Sequence, residues 1–323
     1  MIPSICHFIW FGPDIPWAYT IAIRAAAKRG GFDRIVLHGD HQLESLPHIR
    51  EVVREHGLEF MPIEPDTLLA EDIGVAGLRE LYDNLSKSEA RANLIRAALL
   101  YRYGGIYLDT DVITIASFDS VRQNAVFCGT ERIIYPSRVC HSRSRITRRY
   151  RSILGKLRNW CRDAPQGYRF FRAISFLYYP AVNNAVFGAE PGHPFLLDLL
   201  KRMAALDKTQ QTKQYALGTH LLQNAVRDYG TRRDLRVLPP QACYPLPPVV
   251  SEHWFRLRRT PRLETAISRD TICVHWYASL VTDAVVSSID ERYLAEHASD
   301  QLFSLLATRA LGCREILETD RCP

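Results

Sequence analysis

The chain reads as an α/β protein with a mainly parallel, Rossmann-like sheet, helices on both faces and a helical insertion. Three observations predict this. Short runs rich in Ile, Val, Phe and Leu alternate with helical patterns from the first residues onward, which marks strand–crossover–strand units. The longest helical pattern stops at Gly104-Gly105 and an apolar run follows at once. That run ends in Asp109-Thr110-Asp111, and open α/β sheets bind ligands beyond the carboxyl ends of their strands.

The elements follow in order. Residues 4–11 form a first strand. Residues 16–29 form a helix with Ile21, Ala25 and Ala26 on one face. Arg34–His38 is a second strand, residues 46–56 a second helix, and Leu58–Ile63 a third strand. Residues 86–103 are the clearest helix: Leu94, Ala97, Ala98 and Tyr101 line a face, and Ser86 with Glu89 has the spacing of a capping box. Gly104 ends it, and the acid-bearing strand follows. A strand at 125–130 precedes a basic, aromatic stretch over 131–180. That stretch holds too many large apolar residues to be a linker and reads as a helical excursion over the site. Strand Val182–Gly188, helices near 193–206 and 215–229, a proline-punctuated region from Pro239 to Pro248, a late strand Ile272–Trp276 and an amphipathic helical tail over 290–318 complete the pattern.

With 323 residues, 47% hydrophobic and 24% charged, the chain has the composition of a globular protein with a large core. No apolar run approaches the roughly 20 residues that span a bilayer. The amino terminus has no basic leader and reads as strand, so a cytoplasmic chain is expected, at most peripheral at the inner face of a membrane. Eight scattered cysteines without Cys-x-x-Cys spacing predict buried thiols, neither a zinc site nor a disulfide framework. The net charge of +6 is local in origin. Between Arg132 and Arg172 lie twelve Arg and Lys residues and one acid, Asp163. Such a field recruits anionic partners, an anionic membrane surface before nucleic acid.

Asp109 and Asp111 carry the most chemistry. Residues two apart on a strand point to one side, so the two carboxylates are expected to meet just past the strand end. Their repulsion is relieved by a cation. Oxygen ligands suit Mn²⁺ or Mg²⁺, ions that commonly bridge carboxylates and substrate phosphates. Arg96 stands alone in an otherwise apolar stretch of helix, and arginine is rarely buried without a partner.

Several segments resemble glycosyltransferase family 32, the DxD-containing sugar transferases, and more distantly the glucosylating domain of large clostridial toxins. They are Ile9-Trp10-Phe11-Gly12, Asn93-Leu94-Ile95-Arg96, Leu99 through Val112 with the two acids, Asn183 through Phe195, Gly218-Thr219-His220, and His275-Trp276-Tyr277-Ala278-Ser279. The resemblance implies a GT-A fold in one catalytic domain. Its parts would be a nucleotide-sugar-binding core over 1–130, a basic aromatic helical insertion over 131–180, the rest of the core and the acceptor side over 181–289, and a helical tail over 290–323. It implies a nucleotide-sugar donor, a UDP-sugar before a GDP-sugar, a divalent metal and transfer with retention to a glycan or glycolipid acceptor.

By the same resemblance Asp111 would ligate the metal. Asp109 would contact ribose or sugar and reach the metal through water. Arg96 and Asn93 would hold sugar hydroxyls, Trp10 would stack on the base, and Tyr107 would belong to the donor site. Asn184 would hydrogen-bond the sugar, and His275 and Ser279 would close the metal–diphosphate side. Two positions depart from the family pattern: Asn93 stands where Asp is usual and Leu280 where Trp is usual. Competing readings are a haloacid-dehalogenase-like phosphatase, whose motif is also strand-Asp-x-Asp, and a transferase modifying a protein or nucleic acid.

Overall fold

A computed structural model describes residues 1–312 except 137–141, 212, 214, 215, 231 and 233. The part of the expected tail over 313–318 lies outside the described residues, as does the start of the helix expected near 215.

The elements that position the site are β1 Ile5–Trp10, α1 Trp17–Arg29, β2 Arg34–Gly39, α2 Pro47–His56, β3 Glu59–Pro62, α3 Ser88–Tyr103, β4 Gly105–Leu108, β5 Val112–Thr114, β6 Val126–Ile133, α4 Arg145–Asp163, α5 Gly167–Ile174, β7 Tyr179–Ala189, α6 Pro194–Ala204, α7 Leu221–Tyr229, β8 Leu235–Leu238, β9 Cys273–His275, α8 Glu291–His297 and α9 Leu302–Leu311. Seven strands form one sheet in the order β3-β2-β1-β4-β7-β6-β8. All run parallel except β7, which is antiparallel to β4 and β6. The period of two along each strand sorts the core into two faces. Ile9, Tyr107 and Phe187 pack with α3, α6 and α7. Phe8, Ile106, Leu108 and Val186 pack on the opposite face with α1 and α2. The fold class read from the sequence, α/β with a mainly parallel sheet between helices, is the one observed.

The entry to β4 explains its glycine pair. Gly104 has φ +64° and Gly105 φ +99°, a region that L side chains rarely adopt. A Cβ on Gly105 would lie 2.7 Å from Ile5 O and 3.0 Å from His7 Nε2. His7 Nε2 lies 3.0 Å from Gly104 O, and His7 Nδ1 lies 3.0 Å from His38 Nε2. A carbonyl only accepts, so His7 carries its proton on Nε2. Its Nδ1 then accepts from His38 Nε2–H when both rings are neutral. Burial pushes His7 down to about 4 and His38 down to about 3, which keeps the pair uncharged.

Three expectations are corrected. The capping box over Ser86–Glu89 does not form: α3 starts at Ser88, its cap is Lys87, and no side chain caps it. The Asp-x-Asp does not lie on one strand. β4 ends at Leu108, the acids occupy a turn closed by Val112 N–H to Asp109 O at 3.0 Å, and β5 pairs antiparallel with β9 in a separate small sheet. The tail is not amphipathic throughout, because α9 is buried on nearly every side. It packs beside α1, and Arg29 Nε donates to Ala310 O at 3.1 Å, satisfying a carbonyl of its last turn.

The basic insertion joins β6 to β7. Through Leu154, Cys161, Tyr168 and Phe171 it shares a core with Trp254, Leu263 and α9. Cys6, Cys128, Cys161, Cys243 and Cys273 are buried free thiols, as expected. Among the described residues no helix is long and apolar enough to cross a membrane.

Candidate active site

The site forms at the carboxyl edge of the parallel strands, where β4 delivers Asp109. Tyr107 and Asp109 share a side of the chain, the side facing α3. Arg96, on the buried stretch of α3, lies over the Tyr107 ring with its guanidinium carbon 4.2 Å from the centroid. Its Nη2 lies 3.1 Å from Asp109 Oδ1, and its Nη1 donates to Asn184 O at 2.7 Å. Tyr107 Oη donates to the same Asp109 oxygen at 2.6 Å, and Asp109 N–H donates to Ala185 O at 2.8 Å. A hydrogen bond from Tyr107 and the guanidinium charge of Arg96 therefore converge on Oδ1 and fix the carboxylate. Burial, with the negative charge of Asp109 beside it, raises the Tyr107 hydroxyl well above its usual range, so it stays a donor.

Asp111 is held from the other side. Strand β9 pairs His275 with Val112, which brings the segment after β9 against the turn. His275 Nε2 lies 3.0 Å from Asp111 Oδ2, and Ala278 N–H donates to that oxygen at 2.9 Å. Trp276 N–H donates to Asp111 O at 3.1 Å. Burial opposes the charge on Asp111, but the His275 imidazole and the Ala278 N–H outweigh it and hold the carboxyl below its ordinary value. Burial likewise opposes the charge on His275, and the carboxylates of Asp111, Asp109 and Glu131 outweigh it and raise the imidazole.

One ligand atom each from Asp109, Asp111 and His275 lies within 4.8 Å of the others. These donors fit a divalent cation: the two carboxylates suit Mn²⁺ or Mg²⁺, and the imidazole is a third ligand of a kind more usual for Zn²⁺, Fe, Ni or Cu. In addition, His275 Nδ1 is buried without a hydrogen-bond partner. The convergence expected of the two acids is therefore present, produced by a turn and a second sheet instead of strand periodicity.

The other expected residues divide into two groups. Asn184 Nδ2 donates to Asn93 Oδ1 at 2.7 Å, so both amides sit beside Arg96. A Cβ on Gly218 would come within 2.8 Å of Asn93 Nδ2, so the helical turn at 216–220 closes on the same spot. Trp10, at the end of β1, packs on Tyr19 with centroids 4.7 Å apart, and Tyr19 stacks on Trp276 at 6.1 Å. Its indole N–H donates to Asp14 O at 2.8 Å. This aromatic row joins Trp10 to the segment holding Asp111. Ser279 is exposed on the short turn Ala278–Leu280, and no contact joins it to the acids.

Sequence reasoning missed Glu131, Tyr277, Tyr244 and Asn183. Glu131 is buried near the end of β6 and accepts from Tyr277 Oη at 2.7 Å. Burial raises its carboxyl, against the hydrogen bonds from Tyr277 and Asn183. Asn183 Oδ1 accepts from Ala185 N–H at 2.8 Å. Tyr244 packs edge-on to His275 at 5.8 Å, its buried hydroxyl has no partner, and its ring fills the space above Gly129. The available signal was Glu131 itself, an acid on the strand that opens with apolar Val126-Phe127-Cys128.

Residues 60–128 match the model of a family described as glycosyltransferase sugar-binding region containing DXD motif. The matched segment contains α3, β4, both acids and β5. No curated protein matches the chain. Among solved structures, PaToxG glycosyltransferase is similar at 13% identity and TM-score 0.46, covering 71% of this chain and 70% of that one. The galactosyltransferase LgtC, in complex with donor and acceptor sugar analogs, is similar at 12% identity and TM-score 0.42 over 96% and 95%. Mouse xyloside xylosyltransferase 1 is similar at 10% identity and TM-score 0.43 over 87% and 100%. The matched segment and the class of site it builds are those of a glycosyltransferase with a DXD-type sugar-binding region, and the phosphatase reading is set aside.

Proposed function

We propose that the chain is a metal-dependent, retaining glycosyltransferase that moves a sugar from a UDP-sugar to a glycan or glycolipid. The observation that carries the reading is the convergence of Asp109, Asp111 and His275 within 4.8 Å at the end of a strand whose acid is clamped by Arg96. Asp111 and Asp109 would hold Mn²⁺, with His275 completing the donor set. The ion would offset the charge that develops on a departing diphosphate. Trp10 offers an aromatic face for the base. Asn184 and Asn93 present amides beside Arg96, suited to sugar hydroxyls.

Retention follows from the family resemblance, and what the nearby carboxylates are already doing bears on its route. Asp109 is engaged by Arg96 and Tyr107, and Glu131 is buried beneath Tyr277, its carboxyl held toward the neutral form. Neither is poised as a nucleophile, so front-face attack by the acceptor is favoured, with the diphosphate taking its proton. A cleft of about 370 Å³ bounded by Tyr244, Arg132, Arg172, Ser268 and Asp270 adjoins His275 through Tyr244. It is the proposed acceptor side, with guanidinium and hydroxyl groups to meet a polar glycan.

The test is a thermal shift with a panel of nucleotide sugars, with and without Mn²⁺, since a ligand that binds only the folded state raises its stability by mass action. A UDP-sugar is expected to raise the midpoint only with Mn²⁺, and Asp111→Ala is expected to abolish that rise, read against the variant's own unliganded midpoint, which falls because the Ala278 N–H and His275 lose their acceptor. A shift that survives Asp111→Ala defeats the ligand assignment. A sugar–carboxylate adduct trapped on the protein defeats the front-face route.

A further inference from the structure

Helix α4 presents an unusual outer face. Ile146, Ile153 and Trp160 recur every seven residues and form one row along it. They are 81%, 54% and 53% exposed, although large apolar residues are usually drawn inside. Trp160 packs edge-on against Phe170 of α5 with centroids 4.6 Å apart, and Phe170 is itself 42% exposed, so the row continues onto the next helix. Arg149 and Lys156 form the adjacent row, and Arg145 and Arg148 flank it. Among the described residues none of these four cations has an acidic partner, whereas Arg162 is paired with Glu252. The side of α4 about 100° round from the apolar row is anchored by buried Leu154 and Cys161, and the cation row lies on the row's other side. The helix therefore lies along the protein surface for its whole length of about 28 Å.

We propose that this face of α4 docks in the plane of an anionic bilayer surface. Apolar and indole side chains in one row, with unpaired Arg and Lys alongside, match a helix lying at the boundary between headgroups and acyl chains. The cations meet anionic headgroups, each contributing attraction near the surface. Ile146, Ile153 and Trp160 enter the acyl boundary. A nucleic acid uses the cations but gives two exposed isoleucines nothing to contact. A second copy of this chain is disfavoured, because Tyr150, which would complete a coiled-coil seam with Ile146 and Ile153, is turned into the body with its hydroxyl donating to Leu177 O at 2.6 Å. The docking needs no donor or metal and stands apart from the proposed reaction.

The experiment is flotation of the full chain with vesicles of phosphatidylcholine alone and of phosphatidylcholine mixed with phosphatidylglycerol. Binding to the mixed vesicles is expected to exceed binding to the neutral ones at least tenfold, and to weaken in high salt. Arg149→Gln with Lys156→Gln is expected to lower it about fivefold per cation removed. Ile146→Ser with Ile153→Ser is expected to lower it at least tenfold, with cations and thermal midpoint unchanged. Equal partitioning onto both vesicles, or anionic binding that is indifferent to the Ile→Ser pair, overturns the proposal. So does the finding that duplex DNA competes the chain off the vesicles while its own binding ignores that pair.

Discussion

Tyr277 Oη donates to Glu131 Oε2 at 2.7 Å across 146 residues of chain. The contact fixes the backbone that serves Asp111. Tyr277 sits at φ +59°, and no other non-glycine among the described residues has positive φ. That conformation aims the next N–H, of Ala278, at Asp111 Oδ2. A bulky residue there costs about 1–3 kcal/mol of local strain, and the buried hydrogen bond to Glu131 holds it in place.

Tyr277→Phe removes the donor and leaves a buried carboxyl short of one partner. We expect stability to fall by about 1–3 kcal/mol. The midpoint rise given by Mn²⁺ with a UDP-sugar should shrink as the Ala278 N–H drifts from Asp111. Glu131→Gln keeps an acceptor for Tyr277 and should retain most of that rise. Denaturant unfolding and thermal shift on the two variants measure this. An unaltered Mn²⁺ response in Tyr277→Phe would separate the contact from the site.

Arg96→Lys tests the clamp on Asp109. Lysine keeps the charge but cannot reach Asp109 and Asn184 O together while lying flat on Tyr107. The pair is only partly screened, with the Asp109 side chain 26% exposed, so a stability loss of about 2 kcal/mol is expected, below that of a fully buried pair. Because the lost groups orient the proposed donor site, kcat/KM for sugar transfer should fall by about a hundredfold or more. Steady-state kinetics with the best donor from the thermal-shift panel decides it. A change in stability with no change in kcat/KM would make Arg96 a purely structural residue.

How much of this was legible in sequence follows from how local each cause is. Strands β1–β4, β6, β7 and β9 and helix α3 were legible because period-two and helical patterns are written in contiguous residues, whereas the short β5 and β8 were not read. Arg96 was legible because a cation inside an apolar helix demands a partner. The capping box failed because Ser86 lies ahead of the first helical residue and Lys87 takes the cap. The meeting of Asp109 and Asp111 was anticipated for the wrong reason: Tyr107 and Asp109 share a side, and Asp111 is brought in by the pairing of β5 with β9. Glu131, Tyr277 and Tyr244 were missed because their chemistry arises only once β6, β9 and the proline-rich segment pack together. No local spacing encodes that packing.

Gly105→Ala should be among the most damaging single changes. The new Cβ would lie 2.7 Å from Ile5 O, a backbone atom of β1, and 3.0 Å from His7 Nε2. The backbone at φ +99° is also strained for any L side chain. Since β1 and β4 are hydrogen-bonded neighbours, relief requires moving the strand that delivers Asp109. A loss of about 3 kcal/mol or more is expected, read as a lowered unfolding midpoint in urea. A midpoint within error of the parent would mean that β4 can shift without cost.

The His7–His38 pair predicts how stability depends on pH. Both rings ionise near the ordinary value of about 6.5 when unfolded, but only near about 4 and about 3 in the folded chain. Between those limits the unfolded state binds more protons, so stability rises with pH across that window. It is fully present above pH about 6.5 and is lost as pH falls toward 4, by on the order of 3 kcal/mol for a single ring. His7→Gln with His38→Gln keeps a side-chain N–H donor at each position and removes both titrations. Its unfolding free energy should therefore be flatter than the parent's over the same range. The two curves should differ most at the acidic end. Parallel curves from neutrality to pH 4 would show that the pair is not held neutral by the fold, and that the contact of His7 with Gly104 O does not depend on which form the ring takes.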